Sequence, residues 1–212
     1  ILLSTLVAAN TRSLWETRRW WEDDKDETIE VVPQAREAIQ TTLAERCFHG
    51  TTTVAFCFQG GIACAVDSRA SLGAYVGSSR TEKVIPFSKH VLGTMAGSAA
   101  DCSHFIRLTS ASAKLHELEE GEPLTTEAAA RLLARGLRHQ PKGLDLSVGS
   151  MVMGVDSGRP HLYYVDSDGA RVKGTLFAVG SGSTFAYSVL DAHYRWDLDV
   201  DTALDVVERA VR

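Results

Sequence analysis

The sequence has few cysteines and prolines and no long apolar run. Four cysteines in 212 residues, with no CxxC pair and no histidines at ligand spacing, argue against a zinc site and a disulfide framework. The longest apolar stretches fall far below the roughly 20 residues that cross a bilayer, so no transmembrane helix is predicted. The 22 Lys and Arg against 27 Asp and Glu give a net charge of -5, which lacks the basic excess of a nucleic-acid-binding protein.

Two short patterns resemble ligand-binding motifs, but each lacks a residue that its motif requires. Residues 166–169 begin like a calcium loop, yet the twelfth position is Phe177 rather than glutamate. Residues 180–183 precede a helix as a phosphate loop does, but the lysine of that motif is missing. We therefore expect neither a metal nor another cofactor. Cys57 and Cys64 lie in apolar runs, as small core residues do, which suits a reducing cytoplasm or nucleus.

A break in composition divides the chain after residue 50. Upstream, Trp15, Trp20 and Trp21 stand beside a run of acidic residues unlike anything that follows. Because tryptophan is favoured at interface hot spots, this segment either anchors on a neighbouring protein or packs back on its own domain. The first residues are apolar, but no basic segment or initiator Met precedes them, and we interpret them as a fragment edge rather than a signal peptide.

From Thr51 onward the pattern predicts strands, two helices, more strands and two more helices. Two β-prone runs about Gly60-Gly61 predict a hairpin. Apolar residues at helical spacing predict one helix ending near Gly121 and another after Thr126, and Ser183 and Asp201 are candidate N-caps of the last two. The other strands are expected at 83–87, 91–95, 147–155, 161–166 and 175–179. This order indicates an α+β domain of two sheets packed face to face, with helices outside.

The dipeptide Gly50-Thr51 places a threonine at the start of this domain. A threonine there is usually only a β-former, but an N-terminal threonine carries its own general base, the α-amine, whose pKa is about 7.7 to 8.0. Such a nucleophile needs a cation, a carboxylate that holds the cation, and backbone N–H groups for the oxyanion. Asp67, Lys83 and the strand end at 94–97 can supply them.

Several blocks are similar, at matching spacing, to the chymotrypsin-like (type 5) beta subunits of the eukaryotic 20S proteasome in their precursor form. These blocks are 51–56, 65–70, 73–75, 83–85, 92–97, 99–102, 149–151, 162–169 and 179–183. The resemblance implies a threonine endopeptidase of the N-terminal-nucleophile hydrolase type, a four-layer αββα sandwich. Residues 1–50 would be a propeptide, and 51–212 the protease domain without its C-terminal end.

The resemblance also assigns roles to individual residues. Thr51 is the nucleophile, freed by autocleavage after Gly50; Asp67 and Lys83 form the ion pair; Gly97 gives the oxyanion N–H; and Ser181 supports the threonine amine. Substrate contacts fall on a further set, which is apolar at the pocket and implies cleavage after hydrophobic residues. That set is Arg69, Ala70, Ser71, Thr81, Lys83, Ile85, Met95, Ala99 and Cys102.

The implied partners are the other alpha and beta subunits in stacked seven-membered rings, assembly chaperones, and unfolded polypeptides as substrates. Two alternatives remain at this point. Some beta subunits keep the fold but have no active threonine, and a different amidohydrolase of the superfamily would share only the threonine. The presence of Thr51, Asp67 and Lys83 favours the enzyme.

Overall fold

The structure is a computed structural model that describes residues 50–72, 75–140 and 146–212, together with two upstream strands. It is a mixed α/β arrangement in which the described helices number four and the two larger sheets are antiparallel. The strands are β1 (Leu3–Ala9), β2 (Glu16–Arg19), β3 (Thr53–Phe58), β4 (Gly61–Asp67), β5 (Ala70–Leu72), β6 (Tyr75–Ser78), β7 (Val84–Pro86), β8 (Val91–Thr94), β9 (Ala96–Gly97), β10 (Val148–Asp156), β11 (Arg159–Val165), β12 (Arg171–Gly174) and β13 (Leu176–Val179). The helices are α1 (Ala99–Glu120), α2 (Thr126–Arg138), α3 (Ser183–His193) and α4 (Val200–Val211).

The predicted hairpin after Thr51 is confirmed. Strands β3 and β4 pair antiparallel from Thr53 opposite Val66 to Phe58 opposite Gly61, which leaves Gln59 and Gly60 as a two-residue turn. The first sheet has the strand order β13-β3-β4-β1-β2. The second sheet has the order β12-β11-β10-β8-β7, and β9 also pairs with β10. The five other predicted strands are present, and each end lies within two residues of its predicted position.

Alternate side chains of β10 belong to two different cores, one on each face of the second sheet. Val148 and Val152 belong to a core shared with α1 and α2, whereas Met151 and Met153 belong to a core shared with β3 and β4. Successive side chains of a strand point to opposite faces, so this one strand separates two cores. A third core joins β3 and β4 to α3 and α4. The two sheets therefore pack on each other, and each also packs on a helix pair.

The two predicted N-caps of the last helices are wrong. Helix α4 begins after Asp199, whose carboxylate accepts hydrogen bonds from the N–H and the hydroxyl of Thr202, each at 2.8 Å. Asp201 lies in the first turn instead. Helix α3 begins after Gly182, with no side-chain cap, and Ser183 is its first residue. An acidic or hydroxyl residue suits both the cap and the first turn, so sequence places such a boundary only to within two residues.

Strands β1, β2, β5, β6 and β12 were not predicted from the sequence. The three tryptophans of the upstream segment lie outside the described residues. None of the helices in the described part of the chain is long and apolar enough to span a membrane.

A buried hydroxyl on β10 gives a test of core energetics. Ser150 is fully buried, lies on the strand between Val148 and Val152, and its Oγ has no hydrogen-bond partner. Replacing Ser150 by Ala removes an unsatisfied polar atom, and we expect the free energy of unfolding to rise by about 1 kcal/mol. The matched control is Ser167→Ala, because the Ser167 hydroxyl bonds the N–H and the carbonyl of Val148. We expect that change to lower the free energy of unfolding by a similar amount.

Chemical denaturation of both variants beside the parent chain decides this prediction. A loss of stability in the Ser150 variant would mean that the hydroxyl finds a partner in solution.

Candidate functional site

The hairpin topology brings Thr51 and Asp67 together. Thr51 stands two residues before β3 and Asp67 is the last residue of β4, so antiparallel pairing puts both at one end of the first sheet. The N–H of Asp67 donates to the carbonyl of Thr52 at 3.1 Å, and the N–H of Thr52 donates to Oδ1 of Asp67 at 2.8 Å. The Asp67 carboxylate is thus fixed beside the threonine segment by main-chain contacts.

Lys83 reaches this point from the second sheet. It directly precedes β7, and its carbonyl accepts a hydrogen bond from the N–H of Met95 at 2.8 Å. The ammonium group of Lys83 lies 2.9 and 2.8 Å from the two oxygens of Asp67, 2.8 Å from the Arg69 carbonyl and 3.0 Å from Oγ1 of Thr51. The site is therefore built between the two sheets.

The ion pair between Lys83 and Asp67 is largely buried. The side chain of Lys83 is 6% exposed and that of Asp67 is 11% exposed. A charge removed from water in this way is tolerated only when it is paired and hydrogen-bonded, and here each charge has its partner. The result is a positive charge held within hydrogen-bond distance of a threonine hydroxyl, where it stabilises negative charge that develops on that oxygen.

The main chain of Thr51 is held from the other side by the turn after β13. Because Val179 pairs with Thr53, the residues that follow β13 lie beside those that precede β3. The N–H of Thr51 donates to Oγ of Ser181 at 3.3 Å, and the Ser181 hydroxyl donates back to the Thr51 carbonyl at 3.5 Å. The N–H of Gly182 donates to the same carbonyl at 3.4 Å. The serine predicted to support the threonine nitrogen is therefore in contact with it.

Gly97 is the last residue of β9 and lies two residues after Met95, whose N–H donates to the Lys83 carbonyl. Its φ of +107° is in the region that favours glycine, and a Cβ there would collide with the carbonyl of Ser147. The close approach of Ser147 therefore requires glycine at this position, whose N–H is the predicted oxyanion donor.

The residues predicted to contact substrate differ in exposure. Arg69 and Ala99 are exposed, while Ala70, Thr81 and Ile85 are half-buried, and Ser71 belongs to β5. Met95 is 6% exposed, and Cys102 is fully buried. The Cys102 thiol points its hydrogen to the Ala96 carbonyl at 3.3 Å, and burial raises its pKa to about 11. Cys102 therefore lies against β9 and keeps its proton at neutral pH.

Three contributors were not predicted from the sequence. Gly180 packs against the Thr51 main chain, Gly182 donates to it, and the Arg69 contact to Lys83 comes from its carbonyl rather than its guanidinium. The two glycines on either side of Ser181 were the available signal, since a close approach of two backbones favours glycine. A carbonyl contact leaves no such trace in the sequence.

Within the described ranges, no group of three or more His, Cys, Asp and Glu side chains is arranged to hold a metal ion. The arrangement supports acyl transfer by a hydroxyl nucleophile, with a cation beside that hydroxyl and main-chain donors around it.

Comparison with known proteins agrees with this chemistry. The family model described as "Proteasome subunit" matches residues 47–212. The chain is 50% identical over 163 residues to proteasome subunit beta type-5 of Gallus gallus, covering 77% of this chain and 63% of that protein. It is 47% identical over 163 residues to proteasome subunit beta type-8 of Rattus norvegicus, covering 77% of this chain and 59% of that protein.

A third relative, probable proteasome subunit beta type-5 of Schizosaccharomyces pombe, is 47% identical over 188 residues, covering 85% of this chain and 69% of that protein. The chain thus spans about 59 to 69% of the length of these three relatives. On the extent of the family match and on these identities, the chain belongs to the proteasome subunit family as a beta subunit similar to types 5 and 8.

Proposed function

We propose that this chain is the precursor of a chymotrypsin-like proteasome beta subunit, a threonine endopeptidase that acts through Thr51. One observation carries the proposal: the buried ammonium group of Lys83, held by Asp67, donates a hydrogen bond to Oγ1 of Thr51. A beta subunit that served only as a structural member of the ring would have no need of this buried charge. Identity to type-5 and type-8 relatives supports the same assignment.

Activation requires cleavage between Gly50 and Thr51. While that bond exists, the Thr51 nitrogen is an amide whose lone pair is delocalised into the Gly50 carbonyl, so it is no base. Oγ1 of Thr51 attacks that carbonyl carbon, the acyl group moves from nitrogen to oxygen, and water hydrolyses the resulting ester. The products are a carboxylate on Gly50 and a free α-amine on Thr51.

The freed amine then acts as the general base for peptide cleavage. It accepts the hydroxyl proton as Oγ1 attacks the substrate carbonyl, and it passes that proton to the departing amine of the substrate. Lys83 stabilises the charge on Oγ1, and the N–H of Gly97 receives the oxyanion. Water hydrolyses the ester on Thr51 and restores the enzyme. Ser181 holds the nitrogen, as its present contact of 3.3 Å suggests.

The packing supports a finer description of the fold. The two helix pairs on the outside and the shared core between the sheets correspond to the four-layer αββα order of N-terminal-nucleophile hydrolases. We assign residues 1–50 to a propeptide and 51–212 to the protease domain.

Specificity follows from the residues around Met95. The predicted pocket is apolar at Ala70, Ile85 and Met95, and a charged substrate side chain buried there without a partner would lose much more free energy than the contacts return. Arg69, Ser71 and Ala99 bind the substrate main chain, and Thr81 and Cys102 complete the pocket. The expected preference is for cleavage after hydrophobic residues of unfolded polypeptides.

The partners are the other alpha and beta subunits of the stacked seven-membered rings, with assembly chaperones acting on the uncleaved form. The family membership supports assembly with proteasome subunits. The expected location is the cytoplasm and nucleus.

The test uses particles assembled with this chain and with a Thr51→Ala variant. Mass spectrometry should find Thr51 as the new N-terminus in the parent and an uncut Gly50–Ala junction in the variant. Fluorogenic peptides that differ only before the cut bond should be cleaved after Leu at least about tenfold faster than after Glu or Arg. A mature chain that begins at another residue would overturn the nucleophile. Equal rates for the three peptides would overturn the specificity.

A further inference from the structure

The chain changes from strand to helix directly after Gly97. Strand β9 ends at Gly97, Ser98 is the N-cap of α1, and the helix begins at Ala99. Strand β9 lies antiparallel to the start of β10, with Gly97 opposite Val148. Ser147, which directly precedes β10, therefore lies beside the point where the strand becomes a helix.

The hydrogen-bonding alternation of this pair turns the N–H of Gly97 away from β10. The N–H of Ser98 donates to the carbonyl of Ser147 at 2.8 Å. In an antiparallel ladder, a residue that bonds its opposite partner is followed by one whose N–H and C=O face outward. Val148 follows this rule, because its N–H and its carbonyl bond the Ser167 hydroxyl at 3.0 and 3.2 Å. Gly97, opposite Val148, must likewise direct its N–H outward.

The outward side of β9 is the side of the candidate site. The N–H of Met95, two residues before Gly97, donates to the carbonyl of Lys83 at 2.8 Å. N–H groups two residues apart along a strand point to the same edge, so the N–H of Gly97 points to the edge on which Lys83 lies. The alternation that Ser98 and Ser147 set thus aims the proposed oxyanion donor at the site.

The start of α1 takes the ladder acceptor away from Ser147. In a regular ladder, the N–H of Ser147 would donate to the carbonyl of Ser98. That carbonyl instead accepts the N–H of Cys102 at 3.0 Å, in the first turn of α1. The carboxylate of Asp101 replaces it, since the N–H of Ser147 donates to Oδ2 of Asp101 at 3.3 Å.

Asp101 is itself fixed at the helix start. Its N–H donates to Oγ of Ser98 at 3.3 Å, and its charge lies in the first turn of α1, which the helix dipole favours. A hydrogen bond to a carboxylate is stronger than one between neutral groups. Ser147 is therefore held at both of its main-chain polar groups, the carbonyl by Ser98 and the N–H by Asp101.

We propose that Asp101 is a positioning residue for the oxyanion donor, and that it acts by holding Ser147 against Gly97. A Cβ on Gly97 would collide with the Ser147 carbonyl, so the two main chains are in close contact and a displacement of Ser147 displaces Gly97. The inference rests on the proposed function in that the N–H of Gly97 receives the oxyanion. Because the oxyanion forms only as the substrate reacts, a misplaced donor lowers the rate and leaves substrate binding unchanged.

Assembled particles with Asp101→Ala and with Asp101→Asn test this role. The kcat for a hydrophobic fluorogenic peptide should fall about tenfold in Asp101→Ala, with KM within about twofold of the parent value. Asparagine keeps an oxygen that can accept the Ser147 N–H, so that variant should stay within about threefold of the parent kcat.

A peptide aldehyde separates the oxyanion from ordinary binding. Oγ1 of Thr51 forms a bond to the aldehyde carbon, the hydroxyl proton passes to the Thr51 amine, and the aldehyde oxygen becomes the oxyanion. The alanine variant should bind the aldehyde about tenfold more weakly than the parent does. It should bind the matching peptide alcohol, which forms no such bond, as well as the parent does.

The matched control is Asp156→Ala, at the opposite end of β10. The Asp156 carboxylate accepts hydrogen bonds from the N–H and the hydroxyl of Thr126, the first residue of α2, at 2.9 and 3.0 Å. Asp156 thus also joins β10 to the start of a helix, but Val148 and Asp156 are the first and last residues of that strand. Both alanine variants should unfold at lower denaturant concentration than the parent, and only Asp101→Ala should lose kcat.

Parent-level kcat and aldehyde affinity in Asp101→Ala would overturn the inference, as would an equal loss of kcat in Asp101→Asn or in Asp156→Ala. Parent particles that neither cut the peptide nor react at Thr51 would overturn the proposed function instead. Hydrogen exchange in the uncleaved chain tests the contact without any activity. Asp101→Ala should speed amide exchange at Ser147 and Ser98 about fivefold, whereas Asp156→Ala should not. Unchanged exchange in Asp101→Ala would show that Asp101 does not hold Ser147.

Discussion

Replacement of Lys83 by Met is expected to remove peptidase activity almost completely. The change keeps the length of the side chain but deletes the ammonium group that lies 3.0 Å from Oγ1 of Thr51. Removal of one such donor to a developing charge typically costs about 10²- to 10³-fold in rate. It also leaves the Asp67 carboxylate buried without its cation, which typically costs about 3 to 5 kcal/mol of stability.

Loss of folding and loss of chemistry are separated by a second variant. Lys83→Met combined with Asp67→Asn removes both charges, and the amide oxygen of asparagine can still accept the hydrogen bond from the Thr52 N–H. Replacing a whole buried pair is often close to neutral for stability. We therefore expect the double variant to recover most of the free energy of unfolding and none of the activity.

The measurements are denaturant unfolding and the kcat/KM for a hydrophobic fluorogenic peptide in assembled particles. The control is Arg131→Met, which removes an exposed ion pair with Glu127 on α2, far from the threonine in sequence and on an exposed helix face. It should change neither quantity measurably. Recovery of activity in the double variant would show that Lys83 acts only through stability.

Much of the domain from Thr51 onward was predictable because its local signals agree with its packing. Strands β3 and β4 are short apolar runs about a glycine turn, helix α2 has its apolar residues on one side, and α1 has buried apolar residues at helical spacing. Hydrophobic periodicity decides such elements before any tertiary contact is known.

Strands β5, β6 and β12 could not be predicted in the same way. Strand β12, Arg-Val-Lys-Gly, has little apolar content and exists because it pairs with β11. Its Arg171 and Lys173 lie over the ring of Tyr163, at 5.1 and 5.8 Å from the ring centroid. Pairing and ring contacts of this kind depend on residues distant in sequence, so the strand's own residues do not reveal it.

The candidate site was likewise predictable only in part. Thr51, Asp67 and Lys83 were proposed from residue type and from resemblance to a family. In the structure, the ammonium group of Lys83 lies within hydrogen-bond distance of both Thr51 and Asp67. The main-chain contacts of Arg69 and Gly182 were not proposed, because nearly every residue type has a carbonyl and an N–H. Only a glycine at a close approach marks such contacts in a sequence.

Gly180→Ala is expected to disable the site, although the substitution changes no ionisable group. Gly180 has φ +105°, and a Cβ there would collide with the Thr51 carbonyl oxygen and lie 2.7 Å from its carbonyl carbon. Both atoms are backbone and cannot rotate away, so Thr51 must move relative to Lys83. A displacement of about 1 Å in a reacting group can cost about 10²-fold in rate. We expect a loss of that order in the rate at which an inhibitor selective for N-terminal threonine labels assembled particles.

Gly121→Ala separates this effect from ordinary backbone strain. Gly121 ends α1 at φ +73°, and a Cβ there meets no atom within 4 Å. Both alanines therefore occupy a left-handed conformation at a cost of about 1 to 2 kcal/mol, but only the one at position 180 presses on Thr51. The Gly121 variant should unfold at lower denaturant concentration and label at the parent rate. Parent-rate labelling in the Gly180 variant would mean that the turn after β13 moves aside, and that the position of Thr51 does not depend on it.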